Sequence, residues 1–301
     1  MIRVIMGAFL AAGMAVLIGG ATLFLIALLL FDETDQTMQT DEVGGSSGAA
    51  SGTEEIEGLR QMESESPYAD IETLYAGTDA KSATIMVYMN GSDLESQAGL
   101  ASGDISEMVA SGAGENVHIV IQTMGTRKWQ HYGISAKTAQ TYEIRDGALQ
   151  LVRDNLGQLD CTDSQTLSEF VRFCKENYAA DRYLLLFWDH GGGPVYGFGY
   201  DEWGSEDASL TIAEMSQALS ENDDIHFDII GMDCCIMANM ETCYALAPYC
   251  KYALLSEDFE SGLGWSYTDW MRRFEEEPGI ASPLLGKHIV DSIIEDNENS
   301  W

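Results

Sequence analysis

Four short apolar runs restrict the fold more than any other feature of the chain: Ala83–Met89, Val117–Thr123, Tyr183–Trp188 and Phe227–Met232. Each is too short for a buried helix and apolar along nearly its whole length, as strands are when both faces of a sheet are covered. Helical patterns lie between them, over Leu94 to about Ala110, from a cap at Asp163 or Ser164 to about Tyr178, and over Leu210–Leu219. A further strand, Tyr252–Ser256, carries Glu257 and Asp258 at its exit, and Leu284–Glu295 reads as a last helix. Between Trp129 and Leu151 the alternation around Asp146-Gly147 predicts a hairpin. Strands that alternate with helices imply an α/β sandwich with a mainly parallel sheet.

Two of these strands end in chemically capable residues. Tyr183–Trp188 runs into Asp189-His190-Gly191-Gly192-Gly193, and Phe227–Met232 runs into Asp233-Cys234-Cys235. Parallel strands share one C-terminal edge, where open α/β sheets place their sites, so a histidine and a thiol distant in sequence are expected to meet there. Ile236–Ala247 reads as a helix, which would put Cys235 at its N-terminus, where amides and dipole favour a thiolate. Taken alone, Cys235 is more often a buried core residue and His190 a structural one. The glycine triplet, which allows close backbone approach, favours the functional reading of the pair.

Charge narrows the partners. Lys and Arg total 15 against 49 Asp and Glu, a formal net charge of −34, which argues against nucleic acid and anionic lipid surfaces and for cationic ligands, or simply for solubility. Residues 1–31 form a separate segment: Val4–Phe31 contains no charged residue over 28 positions and follows Arg3. That length is expected to span a membrane as an uncleaved signal anchor, with the remainder of the chain on the outer side. Residues 32–80 are rich in Asp, Glu, Gly, Ser and Thr and are expected to be a flexible acidic linker; residues 81–301 are the expected folded domain. The six cysteines are then free to form disulfides but need not, and no Cys/His spacing suits zinc.

Taken together, Thr84–Glu95 (TIMVYMNGSDLE), Phe187–Gly193 (FWDHGGG), Gly197–Glu202 (GFGYDE) and Phe227–Ala238 (FDIIGMDCCIMA) with Glu241 resemble the clostripain family of cysteine peptidases, relatives of the caspases and gingipains. Ser256-Glu257 and Gly264-Trp265 extend a likeness that covers about Ala83 to Ile293. The resemblance implies a caspase-like three-layer α/β sandwich that continues beyond Trp301. It also implies His190 and Cys235 as a catalytic dyad and Asp233 beside the pocket for a basic side chain. The family usually carries a small residue where this chain has Cys234; the register with Asp233 and Ile236-Met237-Ala238 selects Cys235 as the nucleophile.

The expected chemistry is peptide-bond hydrolysis through a thioester, with His190 as base and then acid and the Gly191 and Cys235 amides as oxyanion donors. Asp189 is not expected to orient His190, since adjacent side chains on an extended segment point apart. Asp93 reads as a helix cap rather than a substrate ligand. Asp233, with Glu257 and Asp258, is expected to bind Arg or Lys ahead of the cut, so basic peptides or proteins are the expected substrates. Calcium enters only through the family's calcium-dependent namesake; the acidic loop 201–207 lacks EF-hand spacing and no metal or cofactor is assigned. No Lys or Arg occurs from Tyr183 to Cys250, so self-cleavage is expected in the tether, at Arg60 or Lys81. Two other readings stay open at this point, an inactive surface domain that binds cationic peptides and an anchored scaffold with redox-active adjacent cysteines.

Overall fold

The computed structural model describes residues 3–4, 26–30, 75–112, 114–204 and 208–299. Its strands are β1 (Arg3–Val4), β2 (Ile26–Leu30), β3 (Ala83–Asn90), β4 (Val117–Met124), β5 (Gln140–Arg145), β6 (Ala148–Arg153), β7 (Arg182–Trp188), β8 (Phe227–Asp233) and β9 (Cys250–Ser256). Its helices are α1 (Ser92–Ala98), α2 (Leu100–Ala110), α3 (Ser164–Asn177), α4 (Gly193–Tyr196), α5 (Ile212–Ser220), α6 (Met240–Leu246), α7 (Tyr267–Glu276) and α8 (Ser282–Asn299). Among the described residues all strands join one sheet in the order β1-β2-β9-β8-β7-β3-β4-β5-β6. From β9 to β4 the neighbours are parallel, while β5 and β6 form the expected antiparallel hairpin beyond β4.

Both faces of the central strands are covered, which is why they read as unbroken apolar runs. Along β3, Ile85, Val87 and Met89 enter one core with Ile105, Met108, Trp270, Phe274 and Leu285 of α2, α7 and α8. Met86 and Tyr88 enter the other, with Phe170, Val171, Leu219 and Leu246 of α3, α5 and α6. The helices on both sides make the three layers. The chain leaves β3 toward β4 through α1 and α2, whereas β7 lies on the other side of β3. The sheet therefore reverses its winding between β3 and β7, and a crevice opens at the C-terminal ends of those strands.

Several expected elements differ in detail. The single helix expected over 94–110 is two, because Gly99 adopts a left-handed conformation at φ 72° and ends α1. The capping alternatives at α3 resolve to Asp163, whose side chain accepts from the Gln165 amide. Helix α7 has no counterpart in the sequence reading, although Tyr267, Trp270, Met271 and Phe274, all buried, mark one helical face.

The membrane helix expected over 4–31 is not what the described part of that run forms. Ile26–Leu30 pairs antiparallel with β9, and β1 with β2; the rest of the run lies outside the described residues. No helix among the described residues is long and apolar enough to cross a membrane. An all-apolar stretch has no period to distinguish strand from helix, and pairing along β9 satisfies its main chain as well as helical bonds would. The linker lies outside the described residues apart from its last few, and so does Arg60. The main chain of Lys81 is held by Asp181, whose Oδ2 accepts from the Lys81 and Ser82 amides at 2.8 and 3.1 Å.

Candidate active site

Register brings the site residues together. Met89 lies opposite Trp188, and Trp188 opposite Asp233, so β3, β7 and β8 end side by side. The segments that follow, Gly91-Ser92-Asp93, Asp189-His190 and Cys234-Cys235, therefore leave the sheet at one place. Asp104, Trp188, His190, Asp233, Cys235 and Glu260 are among the residues lining one cavity of about 170 Å³. That volume suits one side chain rather than a whole drug-sized ligand, which takes roughly 300 Å³ or more.

Cys235 does not stand at a helix N-terminus. Strand β8 ends at Asp233, Ile236 turns through a left-handed φ of 51°, and α6 starts only at Met240, capped by Asn239. The expected support from a helix dipole is absent, because it fades within the first turn. A single amide replaces it: the Glu260 N–H donates to Cys235 Sγ at 3.3 Å. Cys235 is partly exposed, whereas Cys234 is buried, and burial followed by the charge of Glu260 pushes the Cys234 thiol well up. All six cysteines are free thiols.

His190 is exposed, and its Nε2 lies 2.8 Å from Asp93 Oδ1. Asp93 sits in the first turn of α1 and is not its cap, a position held by Gly91; the Leu94 amide there donates to Ser92 Oγ at 3.4 Å. Asp189 turns away from the imidazole: its Oδ1 accepts from Ser92 Oγ at 2.6 Å and its Oδ2 from the Tyr200 amide at 2.8 Å. Burial raises its pKa to about 7, against the lowering influence of His190 and these hydrogen bonds. Gly191 presses on the Cys235 turn so closely that a Cβ there would come within 2.0 Å of the Cys235 carbonyl oxygen.

The floor of the cavity is acidic. Asp233 Oδ2 accepts from the Tyr267 hydroxyl at 2.7 Å and from the Trp265 amide at 3.1 Å. Asp104 Oδ2 accepts from the Trp188 indole at 2.5 Å. Glu260 is partly exposed as a residue, yet both its carboxylate oxygens are sealed from solvent and lack a close hydrogen-bond partner. Burial is the main cause that raises all three carboxyls; the Asp233 charge adds to it at Asp104 and Glu260, while Tyr267 opposes it at Asp233. Glu257 and Asp258 do not line this cavity. Glu257 is exposed, and Asp258 bonds the Phe259 amide through its Oδ1 while its carbonyl accepts from Ile236 N and Ser256 Oγ. Sequence reasoning thus named the strand exit but not Glu260, Asp104 or the contact of Asp93 with His190. An acidic residue two to three positions farther along the same exit was the available signal for Glu260, and nothing local marked Asp104.

The family model of the clostripain peptidases matches residues 87–300. The chain belongs to the clostripain family. Clostripain of Hathewaya histolytica is 30% identical over 99 residues, which are 29% of this chain and 18% of clostripain. Among solved structures, the fold is similar to a secreted C11 cysteine protease of Bacteroides thetaiotaomicron bound to an irreversible peptide inhibitor. The TM-score is 0.54 at 21% identity over 64% of this chain and 53% of that one. It is also similar to an inactive zymogen of a C11 protease from Parabacteroides distasonis, at a TM-score of 0.50 and 18% identity over 68% of this chain and 56% of that one. The chain thus spans somewhat over half of these solved clostripain-family chains and under a fifth of clostripain.

Proposed function

We propose that the chain is a cysteine endopeptidase that cleaves after arginine or lysine through Cys235 and His190. One observation carries this reading: Asp104, Asp233 and Glu260 converge beneath the nucleophile in a cavity lined by no Lys or Arg. Buried carboxylates without a cation are costly, and a guanidinium or ammonium entering with the substrate would relieve that cost. The Asp233 charge acts on both Asp104 and Glu260, so the three carboxyls lie close together, an arrangement suited to the several donors of a guanidinium.

In the proposed reaction the Cys235 thiolate attacks the scissile carbonyl and forms a C–S bond. His190 gives its proton to the amide nitrogen as the C–N bond breaks. Water, deprotonated by His190, then cleaves the thioester and releases the carboxylate and the thiol. The amides of Gly191 and Cys235, adjacent at the turn, are the proposed oxyanion donors, each worth on the order of 3 kcal/mol in comparable sites. Fluorogenic peptides ending in Arg, Lys, Leu or Asp, assayed on wild type and Cys235→Ala, test the reading. Turnover of basic peptides alone, lost in Cys235→Ala, is expected. Binding of Arg peptides without turnover would instead establish the inactive surface domain.

The anchor at residues 4–31 remains a proposal, supported by 28 uncharged positions behind Arg3. Its rival is the edge pairing of β2 with β9. Deletion of residues 1–31 separates the two: an anchor predicts release from membranes with an unchanged melting temperature, an edge strand predicts a lower one.

A further inference from the structure

The backbone at Ser92 is the unusual feature of this site. Its φ is 43°, in the left-handed region that serine rarely occupies, although it is the first residue of a helix. Such strain is costly and persists only where surrounding contacts enforce it. Here the enforcing contact is the 2.6 Å bond from Ser92 Oγ to Asp189, on a side chain wholly buried at the exit of β7. The neighbouring residue, Asp93, then lies 2.8 Å from His190 Nε2. An ionised carboxylate only accepts, so Nε2 is the donor and Nδ1 is left with its lone pair.

We propose that Asp93 is the positioning residue of the reaction, fixing His190 as the Nε2–H tautomer so that Nδ1 serves the Cys235 thiol, and that the Asp189-clamped turn at Ser92 aims it there. The inference rests on the peptidase reading and adds three residues, Asp189, Ser92 and Asp93, to its pair of His190 and Cys235. Asp189 thus acts on its neighbour His190 indirectly, around the turn of another strand. An exposed pair such as Asp93 and His190 contributes little to stability, so its consequence is orientation. Other titratable groups near the imidazole are Asp189, which follows β7, Tyr200 of the glycine-rich loop, Cys235 after β8 and Glu260 after β9.

The test compares wild type with Asp93→Ala, Asp93→Asn and Ser92→Gly, using a fluorogenic Arg peptide and imidazole nitrogen NMR. Asp93→Ala is expected to lower kcat by about 10- to 100-fold, less than the roughly 10²–10⁴-fold of a proton-transfer group itself, because Asp93 only orients that group. KM should change little, since Asp93 does not line the acidic cavity. Asp93→Asn, whose amide oxygen can still accept from Nε2–H, should recover part of kcat. Ser92→Gly tolerates the backbone but loses the clamp, and should fall between wild type and Asp93→Ala. Unchanged melting temperatures would separate these effects from misfolding. Wild-type kcat in Asp93→Ala would overturn the inference while leaving the peptidase reading intact. Should wild type itself fail to turn over, the peptidase reading falls, and imidazole nitrogen NMR decides the clamp separately. An Nε2–H signal present in wild type and lost in Asp93→Ala supports the clamp, and its absence from wild type overturns it.

Discussion

Glu260 meets Cys235 through its main chain and the proposed substrate pocket through its side chain: its amide donates to Sγ at 3.3 Å while its carboxylate lines the acidic cavity beside that thiol. One residue thus contacts the Cys235 thiol and contributes a carboxyl to the proposed pocket. Substitution of the side chain separates the two, because the amide remains.

Glu260→Gln is expected to reduce kcat/KM on Arg peptides by about 100-fold, the scale of removing one partner from a buried charge pair, roughly 2–5 kcal/mol. The rate at which a small uncharged alkylating agent inactivates Cys235 should stay near that of wild type. Steady-state kinetics and alkylation rates check this, and equal losses in both would place the effect at the thiol rather than in the pocket.

The buried carboxyls make stability fall as pH rises. Asp189, Asp104, Asp233 and Glu260 all have folded pKa values above their ordinary ones, so the native state binds more protons than the unfolded chain above pH 4. Stability should therefore decline from about pH 4 through at least pH 7, the value to which Asp189 is raised. Glu260→Gln should flatten part of that slope in denaturant titrations at several pH values. A curve that rises over this interval would contradict the burial of these groups.

Thiol chemistry should be selective. Cys235 is partly exposed and the other five cysteines are buried. Brief iodoacetamide treatment of the native protein, followed by peptide mass mapping, should label Cys235 first, and Cys234→Ala should leave that labelling and any peptidase activity largely intact. Equal modification of Cys234 would mean that the two thiols share the entrance.

Gly191→Ala should abolish activity with a much smaller effect on folding. The added methyl would lie 2.0 Å from the Cys235 carbonyl oxygen and 3.1 Å from Cys234 Sγ, so the turn that carries Cys235 must shift. A shift near 1 Å is enough to cost about 100-fold in a positioned reaction. Peptide turnover with a circular-dichroism melt distinguishes a displaced turn from a collapsed sheet.

The sequence by itself determined the central strands, the chemistry at their ends and the family to which they belong. Unbroken apolar runs admit little besides strands covered on both faces, and the C-terminal edge of a parallel sheet places His190 and Cys235 in one neighbourhood. Tertiary structure decided which acidic residues serve them. Trp188 stands between Met89 and Asp233 only through long-range pairing, and that register brings the Asp93 turn to His190. The left-handed residues Ser92 and Ile236 set where Asp93 and Cys235 point, a property of backbone torsion that composition and spacing do not encode. Glu260 reaches the cavity while Glu257 and Asp258 do not, because the loop after β9 folds back over Cys235. Side-chain direction at a turn follows from contacts made by distant segments, so these assignments had to wait for the folded chain.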